Sequence, residues 1–286
     1  MRHGFILIDK PIGPTSHDVV QIVRRTLQES KAGHLGTLDP AASGLLVIAV
    51  GAKALKVIEF FNDLPKEYIA KICFGAVSST YDAEGVIEQV TTKPGWIEPD
   101  HMMIRRFIDD RFVGKIEQAP PVYSAVHING ERAYDLARRG EQVQMPKRTV
   151  DVSACEIISY TYPHLELRVA CGSGTYIRSL AHDLGTLARC GGYLEGLSRT
   201  KVGDWKIDEA VRPEKATWTD VTPLKDILRS FPSIELDSKQ AADIAMGKKI
   251  PLEVKPDTVG WSEGLPIAIL VPSKDGSQTA HARKVL

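Results

Sequence analysis

Residues 33–51 read GHLGTLDPAASGLLVIAVG. Gly33, Gly36 and Gly44 allow sharp backbone bends and close approach of a ligand. Asp39 precedes Pro40, which biases it away from helical backbone and towards an extended conformation. The apolar run Leu45–Val50, closed by Gly51, has the pattern of a buried strand. The stretch therefore presents one carboxylate from a stiff loop that leads straight into a strand. The same dipeptide also fits an ordinary helix start, with Asp39 as N-cap and Pro40 at the first helical position. His34 likewise fits a core or loop histidine.

Upstream, residues 5–8 predict a short strand ending at the turn Lys10-Pro-Ile-Gly-Pro14. Thr15 or Ser16 caps a helix that runs to about Leu27, because Val19, Val20, Ile22, Val23 and Leu27 are helically spaced. Downstream, residues 66–74 (KEYIAKICF) alternate. Tyr68, Ala70, Ile72 and Phe74 fall on one face, and Ile69, Lys71 and Cys73 on the other. Leu165–Cys171 predicts another strand, turning through Gly172-Ser-Gly174 into an amphipathic helix. Its stripe is Ile177, Leu180, Ala181, Leu184, Leu187 and Ala188, and Gly191-Gly192 ends it.

Residues 118–148 read as an arm stiffened at its root by Pro120-Pro121. A short helix near Glu131–Arg139 carries Arg132, Arg138 and Arg139, with Lys147 and Arg148 beyond and Tyr123 and Tyr134 as aromatic faces. A solvated helix face has the same composition. Pro213, Pro223 and Pro232 mark residues 211–232 as a connection between domains. Residues 233–286 predict a small, mainly β unit with one helix near Ser238–Met246. Strands and helices do not alternate regularly, so the fold class is α+β rather than a doubly wound sheet.

Composition narrows the functional classes. Lys+Arg and Asp+Glu are both 36, which argues against non-specific coating of nucleic acid but leaves room for a local basic surface. No run approaches the ~20 apolar residues of a membrane helix, and the N-terminal apolar stretch is too short for a signal peptide. A cytoplasmic protein is expected. Cys73, Cys155, Cys171 and Cys190 form no CxxC pair, so no zinc knuckle or redox dithiol is indicated. A zinc deaminase would need HxE with PCxxC. A glycosidase would need paired carboxylates, and only Asp39 stands out.

Five segments, in order, resemble the TruB family of tRNA pseudouridine synthases. They are DKPIGPTS at 9–16, GHLGTLDPAASGLL at 33–46, KEYIAKICFG at 66–75, QAPPVYSAVHINGERAYDLARRG at 118–140 and CGSGTYIRSLAHDLG at 171–185. The resemblance implies a mixed, largely antiparallel sheet flanked by helices over 1–230, and a PUA-like β-rich RNA-binding domain over 231–286. It implies isomerisation of uridine 55 in the tRNA T loop, with the base flipped out and Asp39 as nucleophile. Arg178 then pairs with Asp39, Tyr68 stacks on the base, and Tyr176 and Leu197 line the pocket. His34 enters the RNA loop as the uridine leaves its stack. Residues 118–148 become an RNA-gripping thumb using Arg132, Arg138 and Arg139; His127 departs from the Lys common there. Lys10 is implied to be mainly structural, with an RNA contact as a further role. No cofactor, metal or guide RNA is implied, and a monomer acting on the T stem-loop and acceptor end of tRNA is expected. An RNA-binding or RNA-folding protein on the same scaffold is the alternative.

Overall fold

The structure, a computed structural model, describes residues 3–124, 126–128, 130–141, 143–274 and 278–286, with the side chain of Arg132 outside the description. Its main sheet has ten strands among the described residues. They are β1 (Gly4–Lys10), β2 (Ala32–Leu35), β3 (Ala42–Val50), β4 (Lys66–Phe74), β5 (Gly114–Gln118), β6 (Arg148–Thr161), β7 (His164–Cys171), β8 (Gly192–Val202), β9 (Trp205–Lys206) and β10 (Val221–Pro223). The order is β10-β1-β3-β8-β4-β7-β6-β5, with β2 on β3 and β9 on β8. The β3–β8 pair is parallel and the other ladders are antiparallel. The principal helices are α1 (Ser16–Leu27), α2 (His101–Arg111), α3 (Ala133–Arg138), α4 (Ile177–Leu187) and α5 (Ser238–Ala245).

Strand parity explains how the sheet is covered. On β3, Leu46, Ile48 and Val50 join Ile6 and Ile8 of β1 beneath α1. The alternate residues Leu45, Val47 and Ala49 join Phe5 on the other face. Both faces are dry, so the run 45–50 needs no polar alternation. The cover on the second face includes Val259, Trp261 and Ile269. These come from a four-stranded sheet of β11 (Ser233–Glu235), β12 (Thr258–Ser262), β13 (Leu265–Pro272) and β14 (Ala280–Val285). A third cluster packs α2 and α4 on β4 and β7 through Ile104, Ile108, Leu180 and Leu184.

The ends of the helices refine the sequence reading. Thr15, not Ser16, is the N-cap of α1, in a capping box with Asp18. The C-cap of α4 is Ala188, and Arg189 takes the left-handed conformation at φ 58°. Gly191-Gly192 therefore lies beyond the helix end, and Gly192 opens β8, where a Cβ on the facing Gly185 would collide with its backbone. No helix among the described residues is long and apolar enough to cross a membrane.

Candidate active site

A cleft of about 910 Å³ opens where the loop 36–40 meets β4, β8 and the start of α4. Asp39, Tyr68, Tyr176, Arg178 and Leu197 all line it. Asp39-Pro40 forms a turn between β2 and β3 and starts no helix.

Three buried polar side chains brace the loop on both sides of Asp39. Ser16 Oγ donates to the Leu38 carbonyl and accepts from the Leu38 N–H, both at 2.8 Å. Lys10 Nζ donates to the carbonyls of Ala42 at 2.6 Å, Pro11 at 3.0 Å and Pro40 at 3.4 Å. Arg199 donates from Nη2 to the Gly36 carbonyl at 3.0 Å and from Nε to that of Leu45 at 2.8 Å. Gly44 lets β3 approach so closely here: its φ is 102°, and a Cβ would strike the Arg199 backbone.

The carboxylate is fixed from the opposite wall. Arg178 is the second residue of α4, where a cation opposes the helix dipole. Two acids offset it. Its Nε lies 3.2 Å from Asp39 Oδ2, and its Nη1 lies 3.3 Å from Asp82 Oδ2. Nη2 donates to the Tyr123 carbonyl at 3.1 Å, tying the cation to the arm. The Arg178 and Asp82 side chains are 9% and 8% exposed, whereas Asp39 keeps 40%. The acid that reaches solvent is thus Asp39, on the wall of the cleft. Burial, then the nearby Asp82 and Asp39 charges, pushes the Glu84 carboxyl up from its ordinary value.

Tyr68 packs between two core clusters and presents its hydroxyl beside Arg199. Burial raises its pKa, so it stays protonated at neutral pH. Leu197 sits at the β3–β8–β4 junction, opposite Ala42 on one side and Ala70 on the other. Gln118 Nε2 donates to the Tyr176 carbonyl at 3.0 Å, and Tyr176 N–H donates to Gln118 Oε1 at 2.8 Å. The Arg148 guanidinium lies 4.8 Å from the centre of the Tyr176 ring.

Other sequence candidates are placed differently. His34 lies on β2 opposite Ile48, outside the set of residues lining the cleft, and burial lowers its pKa. The RNA contact considered for Lys10 is corrected: its side chain is fully buried and its donors are committed to carbonyls. Lys10→Met is expected to cost about 1–3 kcal/mol of stability by orphaning those carbonyls. Urea unfolding checks this, and an unchanged midpoint would contradict the bracing role. In the arm, Tyr134 and Arg138 reach the cleft, with the guanidinium 4.7 Å from the Tyr134 ring centre. Arg139 is instead held by Glu131 at 2.6 Å and Glu141 at 2.7 Å, which neutralises it locally.

Asp82 and Arg199 were missed by the sequence reading. Asp82 lies between two short paired strands, Ala76–Ser78 and Ile87–Gln89, and that polar loop has no period to mark it. Tyr81 fixes it in place by stacking on His182, ring centres 3.9 Å apart. The expectation of a single prominent carboxylate is therefore corrected: two share one guanidinium.

Residues 24–177 match the family model described as TruB family pseudouridylate synthase (N terminal domain). Among curated proteins, the chain is 39% identical to the tRNA pseudouridine synthase B of Trichormus variabilis, covering 90% of this chain and 88% of the relative. It is 40% identical to that of Syntrophomonas wolfei, covering 87% and 85%. The corresponding protein of Dehalococcoides mccartyi is 36% identical over 99% and 96%. Among solved structures, a chain of a Cbf5-Nop10-Gar1 complex superposes with a TM-score of 0.71 at 23% identity, covering 99% of this chain and 84% of that one. That likeness shows a shared fold. With these matches over most of its length, the chain belongs to the TruB family of pseudouridylate synthases, which are isomerases.

Proposed function

We propose that this protein converts uridine 55 in the T loop of tRNA to pseudouridine, with Asp39 as nucleophile on a uridine everted into the cleft. The observation that carries the reading is the Asp39 carboxylate, part-exposed and 3.2 Å from buried Arg178, in a cleft that Tyr68 also lines. The tRNA substrate is the one named for the curated relatives. The T-loop position rests on the motif resemblance.

Breaking the N1–C1′ bond, turning the uracil and rejoining it through C5 neither gains nor loses atoms. The reaction therefore needs a nucleophile, a dry pocket and a grip on the freed base, without an oxidant or energy source. Attack at C1′, addition at C6 and a route through a glycal all require the same carboxylate beside the nucleotide. Arg178, 3.2 Å from the carboxylate, holds it in place for such a step. Tyr68 is the aromatic surface for the base, and Tyr176 and Leu197 complete the pocket. Eversion costs a few kcal/mol, and a ring filling the vacated stack, the role assigned to His34, offsets part of it.

Residues 1–230 form the catalytic domain in this reading. Within it, the arm 118–148 closes on the RNA through Tyr134 and Arg138. Residues 231–286 act as a PUA-like unit on the acceptor end. The protein works as a monomer without guide RNA.

Incubation of the purified protein with unmodified tRNA, followed by mapping of pseudouridine, tests the proposal. Conversion at one T-loop uridine is expected. Modification elsewhere would overturn the assigned position, and a requirement for added RNA or protein would overturn stand-alone action.

A further inference from the structure

Cys73, His164 and Glu195 come together on three adjacent strands, β4, β7 and β8. The thiol sulfur, an imidazole nitrogen and a carboxylate oxygen all lie within 4.8 Å of one another. Strand geometry accounts for the cluster. Cys73 and His164 are direct partners in the β4–β7 ladder. Glu195 falls at the register shift between Leu194 and Gly196, where β8 bulges against β4. A bulge re-aims the side chain of its extra residue, and here the Glu195 carboxylate lies 3.4 Å from His164 Nδ1. Cys73 lies on the opposite face of β4 from Tyr68 and five residues further along, about 17 Å away. The cluster therefore takes no part in the cleft.

We propose that Cys73, His164 and Glu195 form a binding site for a thiophilic divalent cation, best suited to Zn²⁺. One sulfur, one nitrogen and one oxygen ligand match its preferences. Bond lengths near 2.0–2.3 Å place tetrahedral ligand atoms about 3.3–3.8 Å apart, within small side-chain adjustments of the observed spacing. The thiol loses one proton to the solvent as the metal–sulfur bond forms. The resulting thiolate and the carboxylate together balance the two positive charges, and water takes the fourth position. Tyr193 is the direct partner of Cys73 in the β8–β4 ladder, which sets the neighbouring Glu195 close to the thiol. Cys155, Cys171 and Cys190 are buried, so Cys73 is the accessible thiol of the four.

Bound metal would clip three neighbouring strands together and stabilise the folded chain by mass action. The test titrates the metal-free full chain with Zn²⁺ by calorimetry, and with Co²⁺ by absorption. One Zn²⁺ per chain is expected, with a thiolate-to-cobalt charge-transfer band and a Zn²⁺-dependent rise in the unfolding temperature. Cys73→Ser is expected to remove the band and the rise. His164→Ala and Glu195→Gln should each weaken Zn²⁺ more than about tenfold, since loss of even an outer partner has that effect. Metal-free unfolding of each variant checks that it folds. A wild-type chain without the band, or binding unchanged in His164→Ala and Glu195→Gln, would overturn the site.

Discussion

Arg178→Met is expected to remove most turnover and to loosen the fold at the same time. The guanidinium holds Asp39, Asp82 and the Tyr123 carbonyl together, and methionine offers none of these contacts. Asp82, 8% exposed, would be left as a buried acid without its cation. Breaking a buried pair from one side costs about 3–5 kcal/mol. The lower end applies here, because Asp39 keeps contact with water and Asp82 retains its hydrogen bonds from Thr80 and the Glu84 N–H. Turnover should fall about 10²–10³-fold, as when a preorganised donor is lost from an active site. Arg178→Lys separates the two effects. It keeps a charge for Asp82 but loses the planar fork that reaches both carboxylates. Stability near wild type with activity still strongly reduced is expected. Full activity in the lysine variant, measured by pseudouridine formation on unmodified tRNA, would show that charge alone suffices.

How far this site can be read from the sequence depends on the range of the forces that set each position. Local periodicity marks β4 over Lys66–Phe74, as well as α1 and α4. The apolar run marks β3, because a strand covered on both faces admits no polar residue. By contrast, β8 is obscured: Glu195, Gly196 and two register shifts break its alternation. Thr15 and Ser16 are equivalent as caps in sequence. Only the fold shows that Thr15 caps α1 and leaves Ser16 free to hold Leu38. Arg199, Lys10 and Asp82 resemble surface residues by type, and each is buried by partners that are distant in sequence. Such burial follows from topology and has no local signature. Asp39 and Arg178 were legible only because five ordered motifs resemble a known family; alone, an Asp-Pro step and a helical Arg have common structural uses.

Asp39→Asn has the largest expected effect on chemistry and a small one on the fold. The amide keeps the size and planarity of the carboxylate but not its charge. Asp39 is 40% exposed, so its pairing with Arg178 is partly screened, and the change should alter stability by less than about 1 kcal/mol. The loop itself is held by Ser16, Lys10 and Arg199, none of which bonds the Asp39 side chain. Affinity for tRNA should therefore change by less than about tenfold. Isomerisation should fall by at least about 10⁴-fold, within the range found when a nucleophile is removed from an enzyme that depends on it.

The decisive measurement is the single-turnover rate of pseudouridine formation by Asp39→Asn, with unmodified tRNA fully bound and wild type run alongside. Binding retained with no pseudouridine formed is the expected result. A variant that isomerises its bound tRNA at the wild-type rate would show that the carboxylate is not the reacting group.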